Sequence, residues 1–424
     1  MTINALHQLF LTFPHPCTDT RRITPNCIFF ALRGDNFDGN AYAAEALGLG
    51  AAYAVVDDPE VAGQEGTILV QDVLTALQDL AKFHRQYCGT KVIGLTGSNG
   101  KTTTKELITA VLSKKYRTIA TKGNLNNHIG VPLTLLSISP DTEIAIVEMG
   151  ANHPGEIAFL CQLVMPDYGY ITNFGKAHLE GFGSIEGVIK AKGELYDHLL
   201  SHNNFVFFNA DDPVQKKRLA SVTQKYGFGS DKESSYPIQL LDAAPFVRIQ
   251  VGGITINTQL VGSYNFTNCC AAITIGNYFK VDAMDIRAAL ESYIPQNNRS
   301  QIIKKNGLQI ILDAYNANPT SMKAALENFK DLKSDHKVVF LGDMFELGES
   351  AKAEHQEISD LVENMGFGQV FLIGSNFCNT EGSLNRYKSF DEVVEALKTT
   401  PLNNAVVLIK GSRGMALERI IDLL

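Results

Sequence analysis

Residues 91–105 read Lys-Val-Ile-Gly-Leu-Thr-Gly-Ser-Asn-Gly-Lys-Thr-Thr-Thr-Lys, an apolar strand followed by a glycine-rich turn and the start of a helix. Such a turn directs several backbone N–H groups at one point, and the helix N-terminus adds partial positive charge. Lys101 is placed to reach terminal phosphates, and the Thr102 hydroxyl is placed to hold Mg²⁺. Leu95 replaces the first glycine of the strict pattern G-x-x-x-x-G-K-[ST]. The stretch predicts a nucleoside-triphosphate site rather than a structural turn.

Composition excludes several classes of protein. The 424 residues are 45% apolar and 19% charged, with a formal net charge of −8, so no basic surplus exists to neutralise nucleic-acid phosphates. Seven cysteines without a C-x-x-C pair indicate reduced thiols rather than disulfides or a zinc site. The N-terminus lacks the pattern of a signal peptide, and no apolar run approaches the roughly 18 residues that span a bilayer. We expect a cytoplasmic protein with no nucleic-acid partner and no membrane insertion.

Strand-length and helix-length segments alternate along the chain in three blocks, which predicts an α/β fold of three domains. Residues 1–88 form a small α/β N-terminal domain, and 89–296 a central P-loop domain with a doubly wound, mostly parallel sheet. An apparent hairpin at 246–260 interrupts the central alternation. Residues 297–424 restart it as a Rossmann-like C-terminal domain that lacks G-x-G-x-x-G and ends in a helix over 413–424.

Two polar residues are predicted to lie beside the glycine-rich turn. Glu148 closes the apolar strand 143–148, and His178 lies in a glycine-rich loop after the strand 168–172. The carboxyl ends of parallel strands meet at one edge of a sheet, where metal ligands for phosphate chemistry belong. The alternative is that both are ordinary surface residues.

Lys192 has an unusual position on the helix predicted over 185–199. It falls on the apolar stripe of that helix, whereas Lys190 falls on the opposite face. A buried ammonium group is costly unless it is paired or modified, and a carbamate on this lysine would be a carboxylate-like metal ligand. The alternative is a side chain that extends along the surface to water.

The third block contains two polar segments at strand ends. Asp313 ends a strand and precedes a helix that starts with proline, which suits substrate binding at a crevice. Residues 410–414, Lys-Gly-Ser-Arg-Gly, repeat the strand–loop layout with two cations. Each segment carries more polar groups than a turn requires.

Together these motifs resemble those of the Mur ligases, the ATP-dependent amide ligases that assemble the peptide stem of bacterial cell-wall precursors. The resemblance covers nearly the whole chain, and its most discriminating stretch is Asp-Ala-Tyr-Asn-Ala-Asn-Pro-Thr-Ser-Met at 313–322. This stretch is similar to that of the members that join D-alanyl-D-alanine to UDP-N-acetylmuramoyl-tripeptide. The Asn-Pro-Arg type motif of members that add diaminopimelate or lysine is not visible in the sequence. The resemblance implies activation of the tripeptide carboxylate as an acyl phosphate, and a monomer is expected.

The resemblance also implies roles for individual residues. The ATP-binding residues are Gly97, Ser98, Asn99, Gly100, Lys101, Thr102, Thr103, Asn265, Asn268, Arg299 and Asp313. Two Mg²⁺ sites are implied, the first held by Thr102 and Glu148 and the second served by His178 and by Lys192, which is carbamylated in the family. The catalytic set is Lys101, Glu148, His178 and Lys192. The uridine nucleotide-sugar is expected at Thr18, Asp19, Thr20, Arg21, Asp38 and Gly39, and the peptide substrates at Asn124, Asn127, Tyr315, Asn316, Asn318 and Arg413.

Five positions depart from the family pattern. The family usually has His at the positions of Asn40 and Tyr264, Pro at Lys176 and an acidic residue at His128. The glycine that usually precedes the arginine is absent before Arg299. None of these changes removes a metal-binding or phosphate-binding group. Alternative interpretations are a sister ligase that adds a single amino acid, a folylpolyglutamate-type synthetase, a nucleotide-dependent switch protein and a P-loop kinase.

Overall fold

The computed structural model describes residues 1–230, 236–296, 298–399 and 402–424. Parallel sheets covered by helices follow one another along the chain, so the predicted α/β class is confirmed. The sheets fall within the three predicted segments, whose precise bounds stay a prediction. Residue 297, where the third segment is predicted to begin, lies outside the described residues.

The first part of the chain is a small α/β unit. Its helices are α1 (Ile3–Thr12), α2 (Ala43–Gly48) and α3 (Val73–Cys88), and its strands are β1 (Pro16–Cys17), β2 (Ile28–Phe30), β3 (Arg33–Gly34), β4 (Phe37–Asp38), β5 (Tyr53–Val56) and β6 (Thr67–Leu69). A parallel sheet has the strand order β1-β2-β5-β6. The loops after β1 and β2 therefore leave the same edge of this sheet.

The central part contains a seven-stranded parallel sheet. Its strands are β7 (Lys91–Thr96), β8 (Thr118–Ala120), β9 (Ile144–Glu148), β10 (Tyr168–Ile171), β11 (Phe205–Asn209), β12 (Lys225–Gly229) and β13 (Tyr236–Pro237). Helices α4 (Lys101–Leu112), α5 (Gly130–Leu135), α6 (Glu156–Val164), α7 (Leu179–Phe182), α8 (Ile185–Ser201) and α9 (Pro213–Arg218) connect them. The order β13-β12-β11-β10-β7-β9-β8 places β7 between β10 and β9, where the winding reverses. In an open α/β sheet this reversal opens a binding crevice at the carboxyl ends of the strands.

The side chains of β7 explain why it is buried on both faces. Val92 belongs to the core between the sheet and α3, α5, α6 and α8, whereas Ile93 and Leu95 belong to the core between the sheet and α4. The second core continues under an antiparallel sheet of β14 (Gln239–Asp242), β15 (Phe246–Val251) and β16 (Ile254–Val261) and the helices α10 (Tyr264–Tyr278) and α11 (Ala283–Ser292). The predicted hairpin is therefore part of a three-stranded sheet.

The third part has a six-stranded sheet in the order β17-β18-β22-β19-β20-β21, parallel except for the β17–β18 pair. Its strands are β17 (Gln301–Lys305), β18 (Leu308–Asp313), β19 (Lys337–Gly342), β20 (Gln369–Ile373), β21 (Asn385–Tyr387) and β22 (Val406–Lys410). Its helices are α12 (Pro319–Asp331), α13 (Ala351–Met365), α14 (Ser375–Cys378) and α15 (Phe390–Thr399).

The predicted α-helix over residues 413–424 is wrong. The segment instead forms two 3₁₀ turns, Arg413–Met415 and Leu417–Leu423. Ala416 separates them with a left-handed φ of +47°, which an α-helix does not tolerate. Leu417 and Ile420 are both buried, and their spacing of three matches one 3₁₀ turn. None of the helices within the described ranges is long and apolar enough to cross a membrane.

A buried pair of histidines lies between α1 and α3. His7 and His84 are 0% and 2% exposed, and His7 Nε2 lies 3.0 Å from His84 Nδ1. His84 Nε2 lies 2.7 Å from the carbonyl oxygen of Ile138 in the central part, so His84 donates there and accepts from His7. This leaves His7 Nδ1 as a buried acceptor with no partner in the described part of the chain. Burial lowers the pKa of both rings, for His7 with a smaller contribution from His84.

The histidine pair predicts that acid destabilises the fold. The pKa values in the folded protein lie below the ordinary value of 6.5, so the unfolded chain binds protons first as the pH falls. The free energy of unfolding should therefore decrease once the pH drops below 6.5, as measured by urea denaturation between about pH 8 and pH 5. His7→Phe should reduce this slope, whereas the exposed His15→Gln should not. An equal slope in wild type and His7→Phe would contradict the prediction.

Candidate functional site

The glycine-rich turn lies between β7 and α4, as predicted, and its neighbours leave no space for side chains at two positions. A Cβ atom on Gly97, whose φ is +141°, would lie 2.0 Å from Thr172 Oγ1. A Cβ atom on Gly100, whose φ is +78°, would lie 2.6 Å from Asn268 Oδ1. The Asn99 amide donates to Asn173 Oδ1 at 3.0 Å. Contacts from β10 and α10 therefore hold the turn at the N-terminus of α4.

The Lys101 side chain folds back onto the turn that precedes its own helix. Its Nζ donates to the carbonyl oxygens of Gly97 at 2.6 Å and Ser98 at 3.2 Å. Burial lowers the pKa of Lys101, and nearby Glu148 partly offsets this effect. An anionic group bound at the turn would stabilise the ammonium form by direct charge attraction. The arrangement suits the binding of a polyphosphate.

Glu148 lies at the end of β9, next to β7, and is 2% exposed. The Thr102 hydroxyl donates to Glu148 Oε2 at 2.9 Å, and Asn126 Nδ2 donates to Oε1 at 2.8 Å. The backbone amide of Glu148 donates to Thr121 Oγ1 at 2.9 Å. The structure therefore brings Thr102 and Glu148 together as predicted and adds Asn126, which the sequence analysis missed.

These oxygen atoms suit one Mg²⁺ ion. The ion usually takes one or two protein oxygens and completes its octahedron with phosphate oxygens and water. Thr102 and Glu148 provide such oxygens beside the phosphate-binding turn. Within the described part of the chain, no group of three His, Cys, Asp or Glu side chains is arranged to hold a metal without other ligands. The residues therefore fit a metal that binds together with a nucleotide.

His178 and Lys192 lie at different depths. His178 lines the cavity beside the turn, and its Nδ1 lies 2.6 Å from Glu346 Oε2. Lys192 is 0% exposed, and its Nζ donates to the carbonyl oxygen of Ala151 at 2.8 Å and lies 4.9 Å from the centre of the Phe182 ring. Burial lowers the pKa of Lys192 well below its ordinary value, with a smaller effect from Lys101. Lys192 is thus a buried amine directly behind the cavity wall.

The third part of the chain closes the opposite wall. Asn318 caps α12 and donates from Nδ2 to Asn99 Oδ1 at 2.7 Å. Arg299 lies 3.5 Å from the centre of the Tyr315 ring. Asp313 accepts a hydrogen bond of 2.5 Å from Lys410, which is 2% exposed. These contacts bring most of the residues predicted from the third domain to the phosphate-binding turn.

Asn265 and Asn268 are buried on α10 and form a hydrogen-bonded chain. Asn268 Nδ2 donates to Asn265 Oδ1 at 2.8 Å, and Asn265 Nδ2 donates to the Val261 carbonyl oxygen at 2.8 Å. Tyr264, at a position where the family usually has His, lies 2.7 Å from Ser300 Oγ through its hydroxyl. This pair, predicted to bind ATP, is therefore fixed beside the turn.

These residues enclose a cavity of about 650 Å³. Its wall contains most of the predicted ATP and peptide residues, namely Ser98, Asn99, Gly100, Lys101, Thr102, Thr103, Asn124, Asn127, Glu148, His178, Asn265, Asn268, Arg299, Asp313, Tyr315, Asn316 and Asn318. Gly97, Lys192 and Arg413 are not in the wall. Arg413 instead faces the Tyr315 ring at 5.3 Å, next to the wall.

The residues predicted to bind the uridine nucleotide-sugar lie elsewhere, on the loop after β1 and at the end of β4. They are Thr18, Asp19, Thr20, Arg21, Asp38 and Gly39, and none of them lines the cavity. Asp19 caps a 3₁₀ turn and pairs with exposed Arg21 at 2.8 Å, which lowers the pKa of Asp19 to about 2. Asn40 donates to both Asp38 and Asp57 at 2.8 Å. The structure therefore places these residues in a separate polar region.

The sequence analysis missed Asn126 and Glu346. Asn126 lies between two predicted residues in the segment 123–127, so its neighbourhood carried a signal. Glu346 is the fourth residue after β19. An acidic residue near a strand end of the third part was the only local signal in the sequence that could have indicated a role in the site. The contact of Glu346 with His178 joins residues 168 positions apart, which no local pattern reveals.

Comparisons with known proteins agree along nearly the whole chain. Family models match residues 17–85 (Mur ligase family, catalytic domain), 95–276 (Mur ligase middle domain) and 298–413 (Mur ligase, glutamate ligase domain). A relative from Bacillus subtilis, named UDP-N-acetylmuramoyl-tripeptide–D-alanyl-D-alanine ligase, is 38% identical over 420 residues, which cover 95% of this chain and 91% of the relative. The Escherichia coli protein of the same name is 33% identical, with coverage of 97% and 93%.

Solved structures show the same similarity in three dimensions. A crystal structure of MurF from Acinetobacter baumannii has a TM-score of 0.85 at 30% identity and covers 96% of this chain and 93% of that one. MurF ligase from Thermotoga maritima, crystallised in complex with ADP, has a TM-score of 0.85 at 26% identity, with coverage of 97% of both chains. The chain belongs to the Mur ligase family.

Proposed function

We propose that this protein is an ATP-dependent amide ligase that joins D-alanyl-D-alanine to UDP-N-acetylmuramoyl-tripeptide in peptidoglycan precursor synthesis. The relatives with this name match more than nine-tenths of the chain. The structural observation that carries the proposal is a single cavity walled by both the phosphate-binding turn and the third part of the chain. A site of this kind can place a γ-phosphate, a carboxylate and an amine next to each other. The cytoplasmic location stays a prediction, based on seven unpaired thiols.

The reaction needs two steps, because a carboxylate is a poor electrophile. An oxygen of the tripeptide carboxylate attacks the γ-phosphorus of ATP, and ADP leaves. The neutral amine of D-alanyl-D-alanine then attacks the acyl carbon and loses one proton, and hydrogen phosphate leaves as the amide bond forms. The first step brings two anions together, so the turn amides and Lys101 lower its barrier by neutralising charge. The residues from the third part exclude water that would hydrolyse the acyl phosphate.

The metal-binding roles are part of the proposal. Thr102 and Glu148 would hold a first Mg²⁺, and Asn126 orients the Glu148 carboxylate. His178 and a carbamylated Lys192 would serve a second Mg²⁺. Such ions neutralise charge on the phosphates and orient the γ-phosphate for in-line attack. A carbamate forms when a neutral amine adds CO₂ and loses a proton, and the lowered pKa of buried Lys192 favours the neutral amine.

The alternative functions have less support. A folylpolyglutamate synthase from Mycobacterium tuberculosis has a TM-score of 0.63 at 14% identity, which shows a shared fold alone. A structure named UDP-N-acetylmuramoyl-L-alanyl-D-glutamate–2,6-diaminopimelate ligase has a TM-score of 0.54 at 17% identity, which likewise shows a shared fold alone. A switch protein or a kinase would leave the buried amine of Lys192 and the third-part wall of the cavity without a role.

The acceptor requirement tests the proposed function. With ATP, Mg²⁺ and UDP-N-acetylmuramoyl-tripeptide, we expect phosphate release and a ligated product only when D-alanyl-D-alanine is present. Phosphate release and mass spectrometry of the product are the measurements, with single amino acids as competing acceptors. Lys101→Ala serves as the inactive control. Product formation with a single amino acid, or phosphate release without any acceptor, would refute the proposal.

Asn126→Ala should raise the Mg²⁺ concentration needed for half-maximal activity by about 10-fold or more, because the Glu148 carboxylate loses the donor that orients it. The maximal rate at saturating Mg²⁺ should fall less. Lys122→Ala, an exposed change in the same loop, is the matched control. If both variants show the same Mg²⁺ dependence as wild type, Asn126 does not position the metal ligand.

Lys192→Ala should reduce the ligation rate by roughly 100-fold or more, the scale of losing one charge-stabilising group. Added formate or acetate should restore part of the activity, because it replaces the carbamate oxygens. Lys190→Ala, on the exposed face of the same helix, should have no effect. Native intact-protein mass spectrometry should show one added CO₂ in wild type and in Lys190→Ala, and none in Lys192→Ala. Full activity of unrescued Lys192→Ala would disprove the carbamate.

A further inference from the structure

Glu346 brings a carboxylate from the third part of the chain into the nucleotide cavity. It lines the cavity wall, and its Oε2 lies 2.6 Å from Nδ1 of His178 in the central part. The backbone carbonyl oxygen of Glu346 also accepts a hydrogen bond of 3.2 Å from the Glu180 amide. Two separate contacts therefore join this one residue to the loop that carries His178.

The loop before Glu346 is held in place. Each of the three residues before Glu346 has a hydrogen bond to another segment of the third part. Asp343 Oδ1 accepts from the Phe377 amide at 3.0 Å. The amides of Met344 and Phe345 donate to His355 Nε2 and Ser412 Oγ, each at 2.9 Å. Asp343 is 2% exposed and His355 is 0% exposed. The backbone that leads into Glu346 is therefore held by the packed third part, whereas its side chain is half exposed and contacts His178.

Both partners of the contact have a backbone conformation that side chains disfavour. The φ angle is +62° at Glu346 and +53° at His178, in the left-handed region. Glycine adopts this region without strain, yet neither position has glycine. Strain of this kind is usually retained where a side chain has a function. The observation points to the side chains as the reason for the conformation.

A carboxylate at Nδ1 determines which imidazole nitrogen remains free. The Nδ1–H belongs on the side of Glu346, so the lone pair lies on Nε2. Metal-binding histidines commonly have such a carboxylate on their other nitrogen. In the structure the two atoms lie 2.6 Å apart without hydrogen-bond geometry, so the His178 ring must rotate before Nδ1–H donates to Glu346.

We propose that Glu346 is a positioning residue that orients His178 and sets its tautomer, so that docking of the third part prepares the central metal site. The inference rests on the metal-binding role of His178 in the proposed function. It assigns to the third part a role beyond holding substrate, because an undocked third part would leave the His178 ring without its carboxylate partner.

The variant Glu346→Gly tests whether Glu346 positions His178 or only stabilises the fold. Glycine suits a φ of +62°, so the variant should unfold at the same temperature as wild type or higher. Its affinity for Mn²⁺ in the presence of ADP should nevertheless fall about 10- to 100-fold, measured by electron paramagnetic resonance without other substrates. Glu346→Gln keeps an acceptor oxygen and should lose less affinity. Glu349→Gln, an exposed neighbour in sequence, is the matched control.

The tautomer is read directly from the ¹⁵N chemical shifts of the His178 ring. Wild type, Glu346→Gln and Glu349→Gln should show the proton on Nδ1, and Glu346→Gly should show a mixture of tautomers. Unchanged shifts and Mn²⁺ affinity in Glu346→Gly would overturn the proposal, as would a large loss of thermal stability. Neither measurement needs turnover, so a wild-type protein that fails to ligate D-alanyl-D-alanine would refute the proposed function and leave this test valid.

Discussion

The close packing around the phosphate-binding turn is the constraint on which the rest of the site depends. Gly97 lies against Thr172 at the end of β10, and Gly100 lies against Asn268 on α10, with no space for a Cβ atom at either. These contacts fix the shape of the turn at the N-terminus of α4, and they also bring the end of β10 and the buried face of α10 next to it. The loop that follows β10 then carries His178 into the same cavity, so one packing requirement positions several functional groups.

The amines of Lys101 and Lys192 share one electrostatic feature, because both are buried with few hydrogen-bond partners. Among the described residues, Lys101 donates only to carbonyl oxygens of the turn, and Lys192 has a single hydrogen bond, to Ala151. Burial lowers the pKa of both amines, so each is ready for a chemical partner that the protein alone does not supply. For Lys101 this partner is a phosphate, and for Lys192 the proposed partner is CO₂. Glu148, by contrast, already has both carboxylate oxygens occupied by donors, which prepares it as a ligand of fixed orientation.

The sequence predicted the repeating strands and helices well, because buried parallel strands and amphipathic helices have strong local patterns. It also predicted that Thr102 and Glu148 would meet, since neighbouring parallel strands end at one edge. The prediction of a terminal α-helix was wrong because two features of this segment follow from its packing against the sheet. These are the left-handed backbone of Ala416 and the burial of Leu417 and Ile420, three residues apart. Asn126 and Glu346 were missed because each acts through a contact with a residue distant in the chain.

The sequence by itself determined the nucleotide-binding turn, the α/β architecture and the family, because these depend on glycines, periodic burial and motifs that are local in the chain. Only the tertiary structure decided which of the candidate residues share one cavity, that Lys192 lies behind its wall, and that the nucleotide-sugar residues lie outside it. It also revealed the pairing of His178 with Glu346. The physical reason is that orientation, burial and pairing depend on how separate sheets pack together, which spacing along the chain does not encode.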